Sequence, residues 1–167
     1  MPAVLVLNAG VNYPRNLTEQ SDAEFEKIIE INLMASREIL MKVLPEMQKS
    51  EFGRVVIVSS LYASRAREGR SAYSISKAGL EALARSAALE YSKFGVLVNI
   101  VAPGFVLTDL TTKNNTLEEI SNLTSQIPLN RLAKPEEIAS LVSYLASKKN
   151  TYITGQTINV DGGISIK

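Results

Sequence analysis

The sequence predicts an α/β protein built on a parallel sheet, and two observations carry this prediction. Short apolar runs alternate along the chain with longer segments whose apolar residues recur at helical spacing, which is typical of crossover units. Polar or turn-forming residues follow three of the apolar runs, at Asn8, Ser60 and Pro103. Because ligands of such sheets bind beyond the carboxyl ends of the strands, these positions are expected to border a site. With 167 residues and a hydrophobic fraction of 46%, the chain is predicted to form one domain.

The first predicted elements are a strand and a long helix. Residues Ala3 to Leu7 form a continuous apolar run, the pattern of a strand buried on both faces, and Asn8-Ala9-Gly10 closes it. A Ser-x-x-Glu capping box then starts a helix over 21–47, in which apolar residues repeat at helical spacing. Asn32 and Ser36 interrupt that apolar stripe, where a polar group is costly without a partner. Asn32 is therefore a candidate functional residue.

A second strand, a second helix and a third strand follow. Val55 to Val58 form a buried strand that runs into Ser59-Ser60. The helix predicted from Ser71 to about Lys93 has eleven Ala, Ser or Gly residues among its first eighteen, which lets another backbone approach closely. Val96 to Val101 form the third strand, and Pro103-Gly104 ends it.

The remainder of the chain contains a polar segment, a helix and a last strand. The segment 105–131 is rich in Thr and Asn and only weakly helical over 117–126, so it is predicted to be a mobile substrate loop or lid. Pro135, followed by acidic residues, starts a further helix. The last strand runs from Thr157 to Val160, and Asp161-Gly162-Gly163 ends it.

The composition excludes several classes of function. The net charge is +1, from 18 basic and 17 acidic residues without a long run of either sign, so nothing favours nucleic acid or an anionic membrane as a partner. The chain has no Cys and no His, so no metal site is predicted. No apolar segment reaches the roughly 18 residues of a membrane span. A reducing, cytoplasmic location fits this composition.

The most informative pair of residues is Tyr73 and Lys77, of which Tyr73 follows Ser60 by thirteen residues. Without His and Cys, a proton donor that works near neutral pH must come from Tyr, Lys, Asp or Glu. At i and i+4 on a helix, the Lys77 ammonium can lie about 4 Å from the Tyr73 oxygen, and their attraction is then on the order of 4 kcal/mol. That attraction would lower the phenol pKa by roughly three units. Alone, such a pair is most often an ordinary surface contact, and only the neighbouring motifs favour an acid-base role.

In their order and spacing, these motifs resemble the short-chain dehydrogenase/reductases, which are Rossmann-fold oxidoreductases that use NAD or NADP. Within that family the sequence looks closest to the branch of 3-oxoacyl-carrier-protein reductases and glucose dehydrogenases. The matching motifs are Asn8-Ala9-Gly10, Asn32, Ser60, Tyr73-x-x-x-Lys77, Pro103-Gly104-x-x-x-Thr108 and Asp161-Gly162-Gly163. The resemblance covers nearly the whole chain. It implies a single truncated domain, 1–167, that forms the C-terminal part of a Rossmann-type doubly wound parallel sheet, with about four strands and flanking helices.

The resemblance also implies a role for each matching residue. Tyr73 would be the general acid or base that exchanges a proton with the carbonyl or alcohol oxygen, and Ser60 would hydrogen-bond that oxygen. Lys77 would lower the pKa of Tyr73 and bind the nicotinamide ribose, while Asn32 would hold a water that links Lys77 to solvent. NAD or NADP would contact a further set of residues. These are Asn8, Ala9 and Gly10 on the adenosine side, and Pro103, Gly104, Val106 and Thr108 at the nicotinamide.

Structural roles remain open for the same residues. Ser60 could merely cap its loop, with Ser59 mistaken for it, and Asn32 could bond only to neighbouring backbone. Asn8-Ala9-Gly10 could be a plain turn, and Thr108 could be a helix cap. Asp161-Gly162-Gly163 is better explained as a structural turn than as a binding site.

One family feature has no counterpart in these residues. The Thr-Gly-x-x-x-Gly-x-Gly loop, which binds the cofactor pyrophosphate at a helix N-terminus, does not occur. By resemblance, about 75–80 residues with three strands and three helices are absent. The strand from Ala3 to Leu7 would then be an unpaired apolar edge, so a monomer is not expected. The two long helices, 21–47 and 71–93, would form a homo-oligomer interface, as they do in the family.

Two functions remain open. The first is the catalytic part of an NAD(P)-dependent oxidoreductase that interconverts a ketone and a secondary alcohol, with weak or no activity in this chain alone because the pyrophosphate contacts are lost. The second is a non-catalytic module that uses the family helices for oligomerisation or partner binding. For the enzyme, a moderately apolar small-molecule substrate is indicated by Phe105, Leu107, Leu110 and Leu117.

Overall fold

Four strands form one parallel sheet in the part of the chain that the structure, a computed structural model, describes: residues 2–108, 111 and 116–167. The strands are β1 (Val4–Leu7), β2 (Gly53–Val58), β3 (Val96–Pro103) and β4 (Thr157–Val160). Their spatial order is β1-β2-β3-β4, and each neighbouring pair runs parallel. The predicted parallel α/β sheet is confirmed, and the carboxyl ends of all four strands lie at the same edge.

The helix predicted over 21–47 is a continuous helix with a π-helical turn in its middle. Its parts are α1 (Asp22–Ile29), the π-turn (Glu30–Met34) and α2 (Ala35–Lys49). The Glu24 N–H donates to the Ser21 hydroxyl and the Ser21 N–H donates to the Glu24 carboxylate, so the predicted capping box is confirmed. The π-turn holds the buried Asn32. Such turns are rare and often occur at functional sites.

The remaining predicted helices are also observed. They are α3 (Ser71–Tyr91), which runs on into a 3-10 turn (Ser92–Phe94), α4 (Leu117–Ser125) and α5 (Pro135–Leu145). Thr116 and Glu119 form a second capping box at the start of α4. The segment predicted to be weakly helical around 117–126 therefore contains a capped helix.

Helices cover both faces of the sheet, which makes it doubly wound. On one face, α2 and α3 bury a large apolar cluster against the sheet. Its fully buried large side chains are Leu40, Met47, Val55, Ile57, Leu80, Val96, Val98 and Ile100. On the other face, α5 packs Ile138 and Leu145 against Val56 and Val101. Burial of this apolar surface is the main stabilising contribution to the fold.

The first strand differs from its prediction. Its apolar run predicts burial on both faces, but Val4 and Val6 are each 43% exposed, and only Leu5 and Leu7 pack against the α2 and α3 cluster. The reason is its position, because β1 pairs with β2 alone and lies at the edge of the sheet. The expectation of an exposed apolar edge is thus confirmed within the described residues.

Candidate active site

The Ser60 hydroxyl acts on Tyr73 as a hydrogen-bonding group that lowers the pKa of the phenol. Ser60 follows β2, where the strand has just left the sheet, and Tyr73 lies in the first turn of α3. Ser60 also accepts a hydrogen bond from the Tyr62 N–H at 3.2 Å, so it caps its loop. The loop between β2 and α3 therefore holds Ser60 on the side of the sheet where it influences the Tyr73 phenol.

Ser59 has a different set of partners. Its hydroxyl donates to the Lys77 carbonyl at 3.2 Å and lies 3.1 Å from a carboxylate oxygen of Glu81. Both contacts join the end of β2 to α3. Of the two serines, Ser60 is the one that influences the pKa of Tyr73, whereas Ser59 bonds to α3.

Lys77 is buried beside the tyrosine, with 3% of its surface exposed. Its ammonium donates to the Val58 carbonyl at 2.9 Å and lies 5.7 Å from the centre of the Tyr73 ring. A Cβ atom added to Gly10 would be 3.4 Å from the Lys77 Nζ, so the ammonium lies against the bare backbone after β1. An ammonium has three N–H donors, and the carbonyl of Val58 satisfies one of them.

The pKa of Tyr73 is raised, whereas the sequence predicted that Lys77 would lower it. Burial raises the pKa of Tyr73 above its ordinary value of 10.0, while the hydrogen bond with Ser60 and the charge of Arg70 lower it in part. Burial also lowers the pKa of Lys77 from 10.5 to about 8. The expectation that Lys77 holds the pKa of Tyr73 down is wrong for this structure. Its ammonium binds a backbone carbonyl, and desolvation of the phenol outweighs the nearby positive charges.

Asn32 satisfies its side chain entirely within the protein. Its Oδ1 accepts from the Val11 N–H at 2.7 Å, and its Nδ2 donates to the Val11 carbonyl and to the Ser76 hydroxyl, each at 3.0 Å. Ser76 in turn donates to the Tyr73 carbonyl at 2.7 Å. Asn32 thus connects the loop after β1 to the first turn of α3. This explains how a polar side chain lies, fully buried, on an apolar stripe.

The residues after β1 and β3 border the same edge of the sheet. Asn8, Ala9 and Gly10 are exposed at the carboxyl end of β1. Gly104 donates its N–H to the Val160 carbonyl at 3.0 Å, and a Cβ atom on it would lie 2.8 Å from the Asp161 Cα. Gly104 is therefore required for close packing of the β3 and β4 ends.

Asp161 supports the structural interpretation of the last motif. Its carboxylate accepts from the Gly163 N–H at 2.9 Å and from the Ser165 N–H at 3.1 Å, which closes the turn after β4.

The start of the segment 105–131 is joined by backbone contacts to Ala133, two residues beyond the end of the segment. Val106 forms a parallel bridge with Ala133, where the Leu107 N–H donates to the Ala133 carbonyl at 2.8 Å. Thr108 accepts from the Thr111 N–H at 3.2 Å, a contact typical of a cap. Leu110, one of the residues predicted to line the substrate pocket, lies outside the described residues.

A cavity of about 650 Å³ lies beside this site, lined mainly by residues 62–69 of the loop between β2 and α3, together with Ser71 and Ser74 of α3. The arginines of this loop were not predicted as functional residues. The signal was present as Arg65-x-Arg67-x-x-Arg70, three cations within six residues next to Tyr73.

The described residues contain neither a membrane-spanning helix nor a cluster of metal ligands. No helix there is long and apolar enough to cross a membrane. In the same ranges, no group of three or more acidic, His or Cys side chains is placed to hold a metal ion.

Comparison with known proteins agrees with this geometry. A sequence profile described as "Enoyl-(Acyl carrier protein) reductase" matches residues 2–165. The chain belongs to the short-chain dehydrogenase/reductase family. A curated relative, the 3-oxoacyl-[acyl-carrier-protein] reductase FabG of Buchnera aphidicola subsp. Schizaphis graminum, is 40% identical over 96% of this chain. The resemblance recognised from the motifs is therefore confirmed.

Solved structures of short-chain dehydrogenase/reductases and similar proteins share the fold. A short chain dehydrogenase/reductase family protein has a TM-score of 0.92 at 33% identity, covering 99% of this chain and 68% of its own. The protein ElxO, solved with NADP bound, has a TM-score of 0.91 at 28% identity, covering 98% of this chain and 67% of its own. This chain spans 66% of the length of the Buchnera relative.

Proposed function

We propose that this chain carries the catalytic residues of an NAD(P)-dependent oxidoreductase that interconverts a ketone and a secondary alcohol. The observation that carries the proposal is the position of Ser60 at the carboxyl end of β2, where it lowers the pKa of the Tyr73 phenol, together with the buried Lys77 whose ammonium lies 5.7 Å from the centre of the Tyr73 ring. Two neutral hydroxyl donors near the end of a parallel strand can hold a carbonyl oxygen between them. We find no observation that favours the non-catalytic alternative.

The pKa of Tyr73 favours its action as a general acid in the direction of reduction. Burial raises that pKa, so at neutral pH the phenol carries its proton and can donate it to a carbonyl oxygen as negative charge develops there. Ser60 donates a hydrogen bond to the same oxygen and orients it. Lys77, whose pKa is about 8, holds a proton at neutral pH, and its ammonium lies 5.7 Å from the centre of the Tyr73 ring.

The residues of the site fit a nicotinamide cofactor, which supplies or accepts the hydride when bound. Lys77 has N–H donors beyond the one that Val58 uses, and these suit the ribose hydroxyls that the family resemblance assigns to it. The bare Gly10 backbone leaves space next to that ammonium, and Asn8, Ala9, Pro103, Gly104, Val106 and Thr108 line the same edge. The NADP bound to ElxO supports this assignment, without choosing between NAD and NADP for this chain.

The outer surface of the long helices supports a homo-oligomer as part of the proposal. Apolar side chains at least 36% exposed occur along both helices: Phe25, Met34, Ile39, Met41, Ile75 and Leu89. Exposed apolar patches of this kind are typical of protein interfaces. A cytoplasmic location, suggested by the lack of cysteine, and a small carbonyl or alcohol substrate covered by a lid over 105–131 complete the proposal.

We expect weak cofactor binding by these 167 residues alone, because they contain no glycine-rich pyrophosphate loop. The test is a fluorescence titration with NADPH and NADH, followed by a single-turnover assay with methyl acetoacetate as a neutral ketone probe. Intact mass is checked in the same sample. Saturable binding and slow ketone-dependent loss of NAD(P)H fluorescence are the expected result.

The variant Tyr73→Phe should leave cofactor binding within about twofold and reduce single-turnover rate by roughly 10²-fold to 10⁴-fold. The matched control is Tyr152→Phe, because Tyr152 is 95% exposed and should tolerate loss of its hydroxyl. Equal rates for Tyr73→Phe and the wild type would overturn the catalytic proposal.

A further inference from the structure

The loop between β2 and α3 places positive charge around the 650 Å³ cavity. Arg65 and Arg67 line the cavity, and Arg70 follows at the junction with α3, where its charge acts on the Tyr73 phenol. Glu68 is the acidic residue in the lining. The cavity therefore carries an excess of cations, and its lining includes Tyr62, which donates its N–H to Ser60, and Ser74, the residue after Tyr73.

The three arginines have no acidic partner within 4.0 Å among the described residues. Arg65 donates to the Ile164 carbonyl at 2.6 Å. Arg67 donates to the Tyr62 hydroxyl at 2.7 Å, and its guanidinium lies 5.8 Å and 5.9 Å from the ring centres of Tyr62 and Phe105. These contacts fix the direction of the Arg67 side chain and leave most of its five N–H donors for a ligand.

Arg70 is half-buried, and no carboxylate of the described residues lies within 4.0 Å of its guanidinium group. Burial lowers the pKa of Arg70, and repulsion by the charge of Arg67 lowers it further. A partly buried charge without an acidic partner is unfavourable, and an anion bound beside Arg70 would offset that cost.

The start of α3 adds to the same preference. Helix α3 has 21 residues and begins at Ser71 without a side-chain cap and without an acidic residue in its first turn. The partial positive charge of its N-terminus is thus not compensated, and Ser71 and Ser74 from this turn line the cavity.

We propose that this cavity binds an oxyanion of the substrate, a carboxylate or a phosphate ester, which Arg67 in its lining and Arg70, between the lining residues Gly69 and Ser71, hold while the ketone lies at Tyr73 and Ser60. The position of the ketone at Tyr73 and Ser60 rests on the proposed function, whereas binding of the anion does not require hydride transfer. The proposed cofactor residues do not line this cavity in the described part of the chain, so the anion is on the substrate and not on the dinucleotide.

The test is isothermal titration calorimetry of the full chain without cofactor. Three probes are compared: acetoacetate as a carboxylate, dihydroxyacetone phosphate as a phosphate ester, and methyl acetoacetate as the neutral counterpart of the first. We expect at least one anionic probe to bind about tenfold or more tightly than the neutral ester. The anion that binds more tightly then shows whether the cavity prefers a carboxylate or a phosphate ester. That preference should weaken as salt is raised, because screening reduces the attraction.

The variants Arg67→Gln and Arg70→Gln should each remove most of the preference for the anion. The matched control, Arg37→Gln, alters an exposed arginine of α2 that does not line the cavity, and it should bind like the wild type. Arg70→Lys, which retains the charge, should recover part of the affinity for the anion. That recovery would show that the loss of affinity in Arg70→Gln is not caused by a folding defect. Circular dichroism of each variant provides the second check on folding.

Equal affinity for acetoacetate and its ester, or an anion preference that survives both glutamine variants, would overturn this proposal. So would the absence of anion binding up to about 10 mM. Failure of the proposed function gives a different result, in which anions bind with the predicted dependence on Arg67 and Arg70 but no probe oxidises NADPH or NADH.

Discussion

The side chain of Asn32 pairs with the backbone of Val11 in the manner of one strand with another. The Val11 N–H donates to Oδ1 at 2.7 Å and the Val11 carbonyl accepts from Nδ2 at 3.0 Å, across 21 residues of sequence. The remaining Nδ2 hydrogen goes to Ser76. This one side chain therefore holds the loop that follows Gly10 against α3, and it sets the distance between that loop and Lys77.

We predict that Asn32→Ala destabilises the protein by about 3 kcal/mol, because the N–H and C=O of Val11 lose their partner in a closed interior. Urea denaturation followed by circular dichroism measures this loss. The control is Asn122→Ala, which removes an exposed amide on α4 and should change the free energy of unfolding by less than about 0.5 kcal/mol. A similar loss in both variants would contradict the structural role of Asn32.

Most of the fold could be predicted from the sequence because its signals are local. The strand from Thr157 to Val160 has the predicted bounds, and the helices that begin at Ser71 and Pro135 begin at the predicted residues. The π-turn around Asn32 could not be predicted, since it depends on hydrogen bonds to Val11, far away in the sequence. The exposure of Val4 and Val6 depends on sheet position, which an apolar run does not encode.

The candidate site was predicted less completely. Spacing alone distinguished Ser60 from Ser59 only weakly, while in the structure Ser60 influences the pKa of Tyr73 and Ser59 bonds to the Lys77 carbonyl. The pKa of Tyr73 was predicted in the wrong direction, because the sequence gives the separation along a helix but not the burial of the phenol or the carbonyl that binds Lys77. Arg70 was missed for the same reason, since its charge matters only through its proximity to the tyrosine.

The two serines after β2 should differ in their effect on the titration of Tyr73. Ser60→Ala removes the hydrogen bond that lowers the pKa of Tyr73, so that pKa should rise further above its ordinary value. Ser59→Ala leaves it unchanged, since Ser59 contacts α3 and not the phenol. Nuclear magnetic resonance of ¹³Cζ-labelled tyrosine measures each titration, and Tyr73→Phe assigns the signal among the six tyrosines. An equal shift in both serine variants would show that Tyr73 senses the loop as a whole.

Gly104 and Gly10 should respond differently to an added methyl group. In Gly104→Ala the new Cβ would lie 2.8 Å from the Asp161 Cα, so the ends of β3 and β4 must separate, and we expect a loss of about 1–3 kcal/mol in the free energy of unfolding. In Gly10→Ala the nearest atoms are the Lys77 Nζ at 3.4 Å and the Asn32 Oδ1 at 3.5 Å, which can shift slightly. Gly10→Ala should therefore keep most of its stability in urea denaturation but weaken NADPH binding. Equal stability of the two variants would contradict the close packing at Gly104.

The buried Lys77 should give the protein an unusual dependence of stability on pH. Its pKa is about 8 when folded and 10.5 when unfolded, so between these values the unfolded chain binds more protons than the folded one. The free energy of unfolding therefore rises with pH across this window, by about 2 kcal/mol from about pH 7.5 to 9.5. Below the window both states are protonated, and the folded protein bears the full cost of the buried charge.

The measurement is a series of urea denaturations between about pH 7.5 and 9.5, compared with Lys77→Met. The methionine variant lacks the titrating group, so its free energy of unfolding should lose this rise, and it should gain on the wild type most at the lower pH. Lys42→Met, which changes an exposed lysine of α2, should keep the wild-type slope. The range stops below pH 10 because the raised pKa of Tyr73 acts with the opposite sign there, as the unfolded phenol loses its proton first. A wild-type slope that persists in Lys77→Met would mean that another group titrates, and that the Lys77 ammonium is better solvated than its burial indicates.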